Sequence, residues 1–246
     1  MGLWWAVFSL PILIVVRDKS PPPRHAQSLW AAARHGLQEV GTTIRHIRSY
    51  RMLTIFLLGF LIFNDGVQTL ISQASVFAQK VLDMQIAELA QVILMIQFVA
   101  LPGALFVGWI ADRIGQKTTL NLCLAIWVIV LISGFMITER WQFWIMAAAT
   151  ALVLGGTQSV SRTIMGLMTP EARTGEFFGF FNLSGKAVSV FGPIFFSEIL
   201  ARTGSAHMAI VSLLLFFVVG WAIIVPLDIS RGQREAREGL DAPHAG

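Results

Sequence analysis

The stretch "LGFLIFNDGVQTLISQ", residues 58–73, places an aspartate and several amides inside a run that is otherwise apolar. The composition of the whole chain indicates the environment of this run. Of 246 residues, 55% are hydrophobic and 13% are charged, and the mean hydropathy is +0.69, which excludes an ordinary soluble domain. The stretch is therefore expected to cross a membrane, and its polar side chains need partners there.

The runs of apolar residues along the chain have the length of membrane-spanning helices. A helix crosses the hydrocarbon core with about 20 apolar residues. Seven runs qualify or nearly do so: about 2–16, 52–79, 89–111, 118–137, 142–165, 177–201 and 207–227. None shows the alternation of a membrane β-strand, so the fold class is an all-α polytopic membrane bundle of about seven transmembrane helices.

The first run, residues 2–16, lacks the basic start and the small-residue cleavage site of a signal peptide, and we interpret it as a span. The alternative is an interfacial anchor, which its apolar residues on both faces do not favour. Residues 28–50 have apolar positions at spacings of three and four, with arginines between them. This pattern predicts a basic amphipathic helix at the inner membrane surface.

Basic residues predict the orientation of the bundle, because loops on the cytoplasmic side carry most of the lysine and arginine. The loops at 17–51, 113–117 and 162–173 and the tail after Asp228 are arginine-rich, whereas the opposite side has only Lys80, Arg140 and Arg202. The amino terminus is therefore expected outside and the carboxyl terminus in the cytoplasm. The pI of about 9.8 reflects this topology, and no nucleic acid is expected as a partner.

These patterns divide the chain into four segments. They are a first transmembrane helix at 1–17, a cytoplasmic loop with an amphipathic helix at 18–50, a six-helix bundle at 51–228, and a cytoplasmic tail at 229–246.

The polar residues of the span at 52–79 fall on one face of its helix, with Asp65 and Thr69 beside Asn64, Gln68 and Ser72. An ionisable group facing lipid costs several kcal/mol, so Asp65 is expected to face a wet cavity or a partner. Alternatively, the amides only hold helices together.

A possible partner lies in the span at 177–201, where Asn182 and Lys186 share a face. At 1.5 Å per residue, Asp65 lies about 21 Å from the cytoplasmic end and Lys186 about 17 Å, and we expect them to face each other. Transporters keep their sites near this depth. The candidate residues of a solute or ion cavity are Asn64, Asp65, Gln68, Thr69, Ser72, Gln97, Asn182 and Lys186.

A second motif, "GWIADRIGQK" at residues 108–117, joins two spans on the inner side. Gly115 permits a tight reversal, and the charged residues are expected to pair locally and to bind helix ends. The residues of this loop motif are Gly108, Asp112, Arg113, Gly115 and Lys117. A candidate inner gate consists of Gln158, Arg162 and Glu176, although an ordinary interfacial arginine explains Arg162 equally well.

The motif "GWIADRIGQK" resembles the loop signature of the major facilitator superfamily. Together with "FNDGVQT", "GGTQSVSR" and "EFFGFFNLSGKAVSVFGP", it resembles the vacuole-effluxer-like branch, which is related to autophagy-related vacuolar amino-acid exporters. The resemblance implies twelve helices in two six-helix halves around one cavity. It equates residues 1–17 with the sixth helix of that fold and residues 51–228 with its carboxyl-terminal half.

The function predicted from the sequence is secondary active transport of a small polar solute, with amino acids implied by the resemblance, through alternating access. By that resemblance the chain looks truncated and is expected to be inactive without an amino-terminal half or second chain. The alternative is a non-transporting membrane scaffold or receptor-like bundle.

Enzyme motifs of the HExxH, GxSxG and Walker types are missing from the sequence, and we expect no enzyme activity and no cofactor. The single cysteine, Cys123, offers no metal framework. The expected location is a bacterial inner membrane, with the lipid bilayer and a small solute as partners.

Overall fold

The structure of the protein is a computed structural model that describes residues 41–241, with side chains to residue 238. The expected first span at 2–16, the part of the amphipathic helix at 28–40 and the last residues of the tail at 242–246 lie outside the described residues. Residues 41–48 are helical, as the amphipathic pattern predicted for that part of the segment.

Helices make up nearly all of the described chain, and they are numbered here from the first complete one. The bounds are α1 Arg51–Leu82, α2 Ile86–Ile114, α3 Gln116–Phe135, α4 Arg140–Met168, α5 Thr174–Val188, α6 Phe191–Thr203, α7 Ala206–Ser212, α8 Leu214–Ile224 and α9 Ile229–Asp241, with a short 3-10 turn at Glu171–Arg173 before α5. By length and composition, six segments of this region are able to cross a membrane: α1, α2, α3, α4, the α5–α6 segment and the α7–α8 segment. The all-α polytopic bundle is confirmed.

Two of these six segments are interrupted, whereas the apolar runs of the sequence predicted each of them as a single span. In the α5–α6 segment, Ser189 and Val190 separate the two helices, and the Ser189 hydroxyl donates to the backbone oxygen of Lys186 at 2.7 Å. Pro193 has no N–H to donate to the carbonyl four residues earlier, at Ser189. A helix running through this point would therefore lose a hydrogen bond. In the α7–α8 segment the interruption is at Leu213.

Helix α1 forms the centre of the described bundle and packs against α8, α5, α6 and α4. Its aromatic side chains at Phe56, Phe63 and Phe77 are completely buried. Phe60 stacks on Phe181 of α5, with ring centroids 4.3 Å apart. These contacts fix the faces of α1 that carry its polar residues.

Helices α2 and α4 approach each other at backbone distance through small residues. A Cβ placed on Gly103 of α2 would lie 2.6 Å from the carbonyl oxygen of Leu152, and one placed on Gly155 of α4 would lie 2.7 Å from that of Ala100. Helix association in membranes depends on such close van der Waals packing, because lipid is as apolar as the side chains. Gly103 and Gly155 therefore allow the two backbones to lie this close.

The ends of the helices are tied by polar contacts on the side expected to be external. Arg140, at the start of α4, donates to the backbone oxygens of Leu82 and Asp83 at 3.2 Å and 2.9 Å. It also forms an ion pair of 3.2 Å with Glu88 of α2. One arginine thus joins the ends of α1, α2 and α4.

On the opposite side, helix α9 lies within the segment predicted as a tail. Glu235 accepts a hydrogen bond from the backbone N–H of Met52 at 3.0 Å, which satisfies one of the free donors in the first turn of α1. Gly232 lies against Met168 of α4 and Met52. This part of the tail is therefore docked on the bundle.

Candidate functional site

Asn64 is the centre of a buried hydrogen-bond network that joins three helices. Its Oδ1 accepts a hydrogen bond from Gln158 Nε2 of α4 at 3.0 Å. Its Nδ2 donates to the backbone oxygen of Gly185 in α5 at 3.5 Å, and Gly185 has no side chain to hold the helices apart. A small residue at this position of α5 allows the amide of α1 to reach the backbone.

Asp65 and Thr69 lie one and five positions after Asn64 and are enclosed by the start of α6. Asp65 is 1% exposed and Thr69 is completely buried. The Thr69 hydroxyl donates to the backbone oxygen of Asp65 at 2.7 Å. The backbone of Gly192 lies so close that a Cβ there would sit 3.0 Å from Asp65 Oδ1 and would overlap the Thr69 hydroxyl.

We call Asn64, Asp65 and Thr69 the enclosed set. The remaining polar residues predicted on α1 and α5 are exposed and form the open set, which consists of Gln68, Ser72, Asn182 and Lys186. The hydrogen bond between Asn64 and Gly185 is a point of contact between α1 and α5. Gln68 lies one turn after Asn64 on α1, and Asn182 and Lys186 lie on either side of Gly185 in the sequence of α5. The open set therefore borders this contact from both helices.

The direct pairing of Asp65 with Lys186 expected from the sequence is not present within the described residues. The carboxylate of Asp65 lies against Gly192 of α6, and the ion pairs of this region join other residues. Lys186 is exposed near the end of α5. Helices α1 and α5 contact each other at Asn64 and Gly185, but Gly192 of α6, rather than Lys186, lies at the carboxylate.

Gln97 lies away from this network, at a separate cavity. The cavity has a volume of ≈ 330 Å³ between α1, α2 and α4, and Gln97, Ser75 and Thr150 supply polar groups to its largely apolar wall. The sequence grouped Gln97 with the α5 residues by depth alone. Depth does not determine the direction in which a helical side chain points.

The loop motif at 108–117 makes the tight turn predicted for it. Gly115 connects α2 to α3 with φ +88°, a backbone conformation that favours glycine. Lys117 Nζ donates to the backbone oxygen of Val225 at 2.9 Å, beyond the end of α8, as expected for a cation at a helix end. Arg113 stacks on the ring of Trp109 at 3.8 Å rather than pairing with Asp112.

The three candidate gate residues have different surroundings. Gln158 belongs to the Asn64 network, Arg162 is exposed, and Glu176 pairs with His46 at 3.1 Å. His46 lies on the helix at 41–48, and its side chain is 40% exposed.

Two glycines of the site, Gly185 and Gly192, were not recognised as partners of the polar residues of α1. Their small size was the available clue in the sequence, since small residues in membrane helices allow a neighbouring helix to approach the backbone closely. Among residues 41–238, no three His, Cys, Asp or Glu side chains are grouped as a metal site.

Comparison with known proteins identifies the family of the chain. The family described as "Vacuole effluxer Atg22 like" matches residues 1–237. The chain belongs to this family. The family is described as effluxers rather than as enzymes, in agreement with the expectation of no enzyme activity, and the family resemblance noted in the sequence is confirmed.

Individual relatives cover nearly all of this chain. The uncharacterized MFS-type transporter YxiO of Bacillus subtilis is 30% identical over 94% of this chain and 54% of its own length. Autophagy-related protein 22 of Kluyveromyces lactis is 27% identical over 97% of this chain and 52% of its own length. The chain therefore spans about half the length of the curated relatives that it matches.

Proposed function

We propose that this chain forms one side of the solute pathway of a secondary transporter for a small polar solute. The observation that supports this proposal is the open set, in which two amide side chains, a hydroxyl and a cation remain exposed beside a tightly packed network in the membrane region. Polar groups facing lipid are costly, so a wet pathway is their favourable surrounding. The family description and the name of the Bacillus relative support the same function.

Transport by alternating access requires a second set of helices to face the open set. The exposed apolar residues of α2, which include Phe98 and Leu105, offer further surface for such helices. They come either from a longer form of the same polypeptide or from a second chain. Relatives that are about twice as long as the matched region support this part of the proposal.

The solute proposed is an amino acid or a molecule of similar size and polarity. Lys186 is suited to a carboxylate, while Gln68 and Asn182 supply donors and acceptors for other polar groups. The candidate gate of Gln158, Arg162 and Glu176 stays part of the proposal on the inner side.

Uptake of labelled amino acids into vesicles tests the transport function. The chain is expressed alone and together with the reading frame encoded upstream of it. Saturable uptake is expected only in the second case and is expected to fall when Lys186 is replaced by Met. Uptake that is absent in both cases, with folded protein in the vesicles, would favour the scaffold alternative.

The proposed location is the inner membrane of a bacterium, with α9 in the cytoplasm and the loop at 83–85 outside. Single cysteines placed at Asp83 and at Arg237 in a Cys123→Ala chain test this orientation in whole cells. A membrane-impermeant thiol reagent is expected to label the first and not the second. The opposite pattern would reverse the proposed topology.

A further inference from the structure

Asp65 carries a buried oxygen atom that no hydrogen bond satisfies. Its Oδ1 is one of three such side-chain atoms in the described part of the chain, and the other two belong to the neutral residues Gln116 and Ser161. The hydroxyl of Thr69 does not supply the missing hydrogen bond, because it donates to the backbone oxygen of Asp65. The described structure thus leaves one ionisable carboxyl group enclosed, with the backbone N–H of Gly192 as its neighbouring donor and no hydrogen bond of good geometry on Oδ1.

The helix that encloses this carboxyl group begins at an interruption. Helix α6 starts at Phe191, directly after the break at Ser189 and Val190, and its second residue, Gly192, rests on Asp65 and Thr69. A helix that begins afresh beside its predecessor is able to move without breaking the hydrogen bonds of a continuous helix. The contact with Asp65 therefore lies two residues after this interruption.

The helices packed against α1 bring several charged or titratable groups, and none of them forms an ion pair with Asp65 in the region that the structure describes. These groups are Glu176 and Lys186 on α5, Glu198 and Arg202 on α6, Arg140 and Arg162 on α4, His207 on α7, and Arg231, Arg234, Glu235, Arg237 and Glu238 on α9, while α8 has none. Several of these groups are engaged elsewhere, such as Glu198 with Arg202 at 2.6 Å.

An ionised carboxylate in this position would lack both water and a counter-charge, which costs several kcal/mol. A metal cation would need several oxygen ligands and the room to hold them. The contact between Gly192 and Thr69 leaves no room even for a methyl group. A proton on Oδ1 removes the charge and occupies no additional volume.

We propose that Asp65 is the proton-binding site of the transporter and that its proton holds α6 against α1. In the packed state Oδ1 carries the proton as a neutral carboxylic acid. When α6 separates, water reaches Oδ1, the O–H bond breaks, and the proton leaves as hydronium while the electron pair stays on the carboxylate. Rebinding of a proton allows α6 to return. The coupling of this step to solute rests on the function proposed above, whereas the proton-dependent packing does not.

A cysteine in place of Thr69 reports the packing directly, because residue 69 is completely buried beneath α6. Cys123→Ala removes the only other cysteine of the chain. The full chain carrying Thr69→Cys is placed in lipid nanodiscs, and the rate of its reaction with a small methanethiosulfonate reagent is measured at about pH 5 and about pH 9. The same measurement is made with Asp65→Asn, which is neutral at both pH values. Asp83→Asn, at an exposed turn, is the matched control.

With Asp65 present, the ratio of the rate at high pH to the rate at low pH is expected to exceed the ratio with Asp65→Asn by about fivefold or more. Ionisation of the thiol contributes to both ratios. A carboxylate beside the thiol would disfavour the thiolate, so its direct effect has the opposite sign. Asp83→Asn is expected to keep the high ratio.

Equal ratios with Asp65 and with Asp65→Asn would overturn the proposal. So would a rate that responds to Na⁺ at constant pH rather than to pH. If Asp65→Asn does not fold, Asp65→Glu replaces it in infrared pH-difference spectra, where the band of a protonated carboxyl must shift with the substitution. A band that does not shift overturns the proposal too. Neither measurement requires solute, so missing transport activity would leave a positive result intact.

Discussion

The enclosed set and the open set consist of the same kinds of residue at similar depths in the membrane, yet they have opposite surroundings. Asn64 and Asp65 are 4% and 1% exposed, whereas Gln68, one turn after Asn64 on the same helix, is exposed. The difference arises from the neighbours: Gly185 and Gly192 bring the backbones of α5 and α6 onto the first two residues and leave Gln68 free. Polar residues in one stripe thus have two surroundings: the enclosed set holds helices together, and the open set is the surface proposed for the solute pathway.

Helices α1 and α2 show the same contrast between burial and exposure along their apolar stretches. In the apolar stretch that would cross the membrane, 61% of the residues of α1 are buried, against 11% for α2. Most residues of this stretch of α1 therefore contact protein, whereas most of those of α2 face outward. Substitutions in the two polar sets test the proposed division, in which stability is expected to depend on the enclosed set and transport on the open set.

The largest expected effect follows from enlarging the glycine that covers the enclosed set. Gly192→Leu places a side chain where the Thr69 hydroxyl already lies, and it is expected to lower the free energy of unfolding by about 3 kcal/mol. Thermal unfolding in detergent measures the change. Gly179→Leu is the matched control, because nothing lies within 4 Å of a Cβ at Gly179. Its stability is expected to stay the same or rise. Equal losses in both variants would show that Gly192 is not a close contact.

The second expected effect is the loss of the network centred on Asn64. Asn64→Leu removes the hydrogen bonds to Gln158 and Gly185 and leaves the Gln158 amide without its partner. A loss of about 2 kcal/mol in the free energy of unfolding is expected. The same substitution at the exposed neighbour, Gln68→Leu, is expected to change it by less than about 0.5 kcal/mol. Chemical denaturation of both variants in one detergent makes this comparison.

A double-mutant cycle sharpens the comparison further. Hydrogen bonds between membrane helices couple by about 0.6 kcal/mol on average. The pair Asn64→Leu and Gln158→Leu is expected to reach about 1 kcal/mol, because Asn64 is buried and Gln158 is partly buried at their hydrogen bond. Gln68→Leu combined with Gln158→Leu is expected to show additivity. Additivity in both pairs would contradict the hydrogen bond between Asn64 and Gln158.

The sequence predicted the membrane class and, in the described region, the number of spans, because a long apolar run without charge is typical of a membrane-spanning helix. It also predicted the reversal at Gly115 and the helix-end contact of Lys117. It did not predict the interruption at Leu213, where the residues are apolar on both sides and no proline or glycine marks the break. The interruption after Ser189 had a visible signal in Pro193.

The partner of Asp65 was beyond the reach of helical periodicity. Spacing shows which side chains share a face, but the neighbour of that face depends on how the helices are placed around it. Lys186 was selected by charge and depth, whereas the structure placed a glycine backbone at the carboxylate. A contact made by a glycine backbone cannot be recognised in the sequence, because no charged or polar side chain marks it. The sequence therefore predicted the residues of the enclosed set and of the open set as a single group.

The smallest expected effect on stability belongs to the open set, and it is paired with an effect on transport. Lys186→Met removes an exposed cation that forms no ion pair within the described residues, so the free energy of unfolding is expected to change by less than about 0.5 kcal/mol. If Lys186 lies on the solute pathway, uptake of labelled amino acids by the assembled transporter is nevertheless expected to fall by about tenfold or more, since a cation that meets a carboxylate directly contributes on the order of 1.4 kcal/mol or more. Lys80→Met, at the exposed end of α1, is the matched control and is expected to keep both stability and uptake. A variant at Lys186 that unfolds readily would place this residue in the enclosed set, and one that transports normally would remove it from the pathway. Only stable protein with impaired uptake agrees with the division of the polar residues into one set that holds the helices and another that meets the solute.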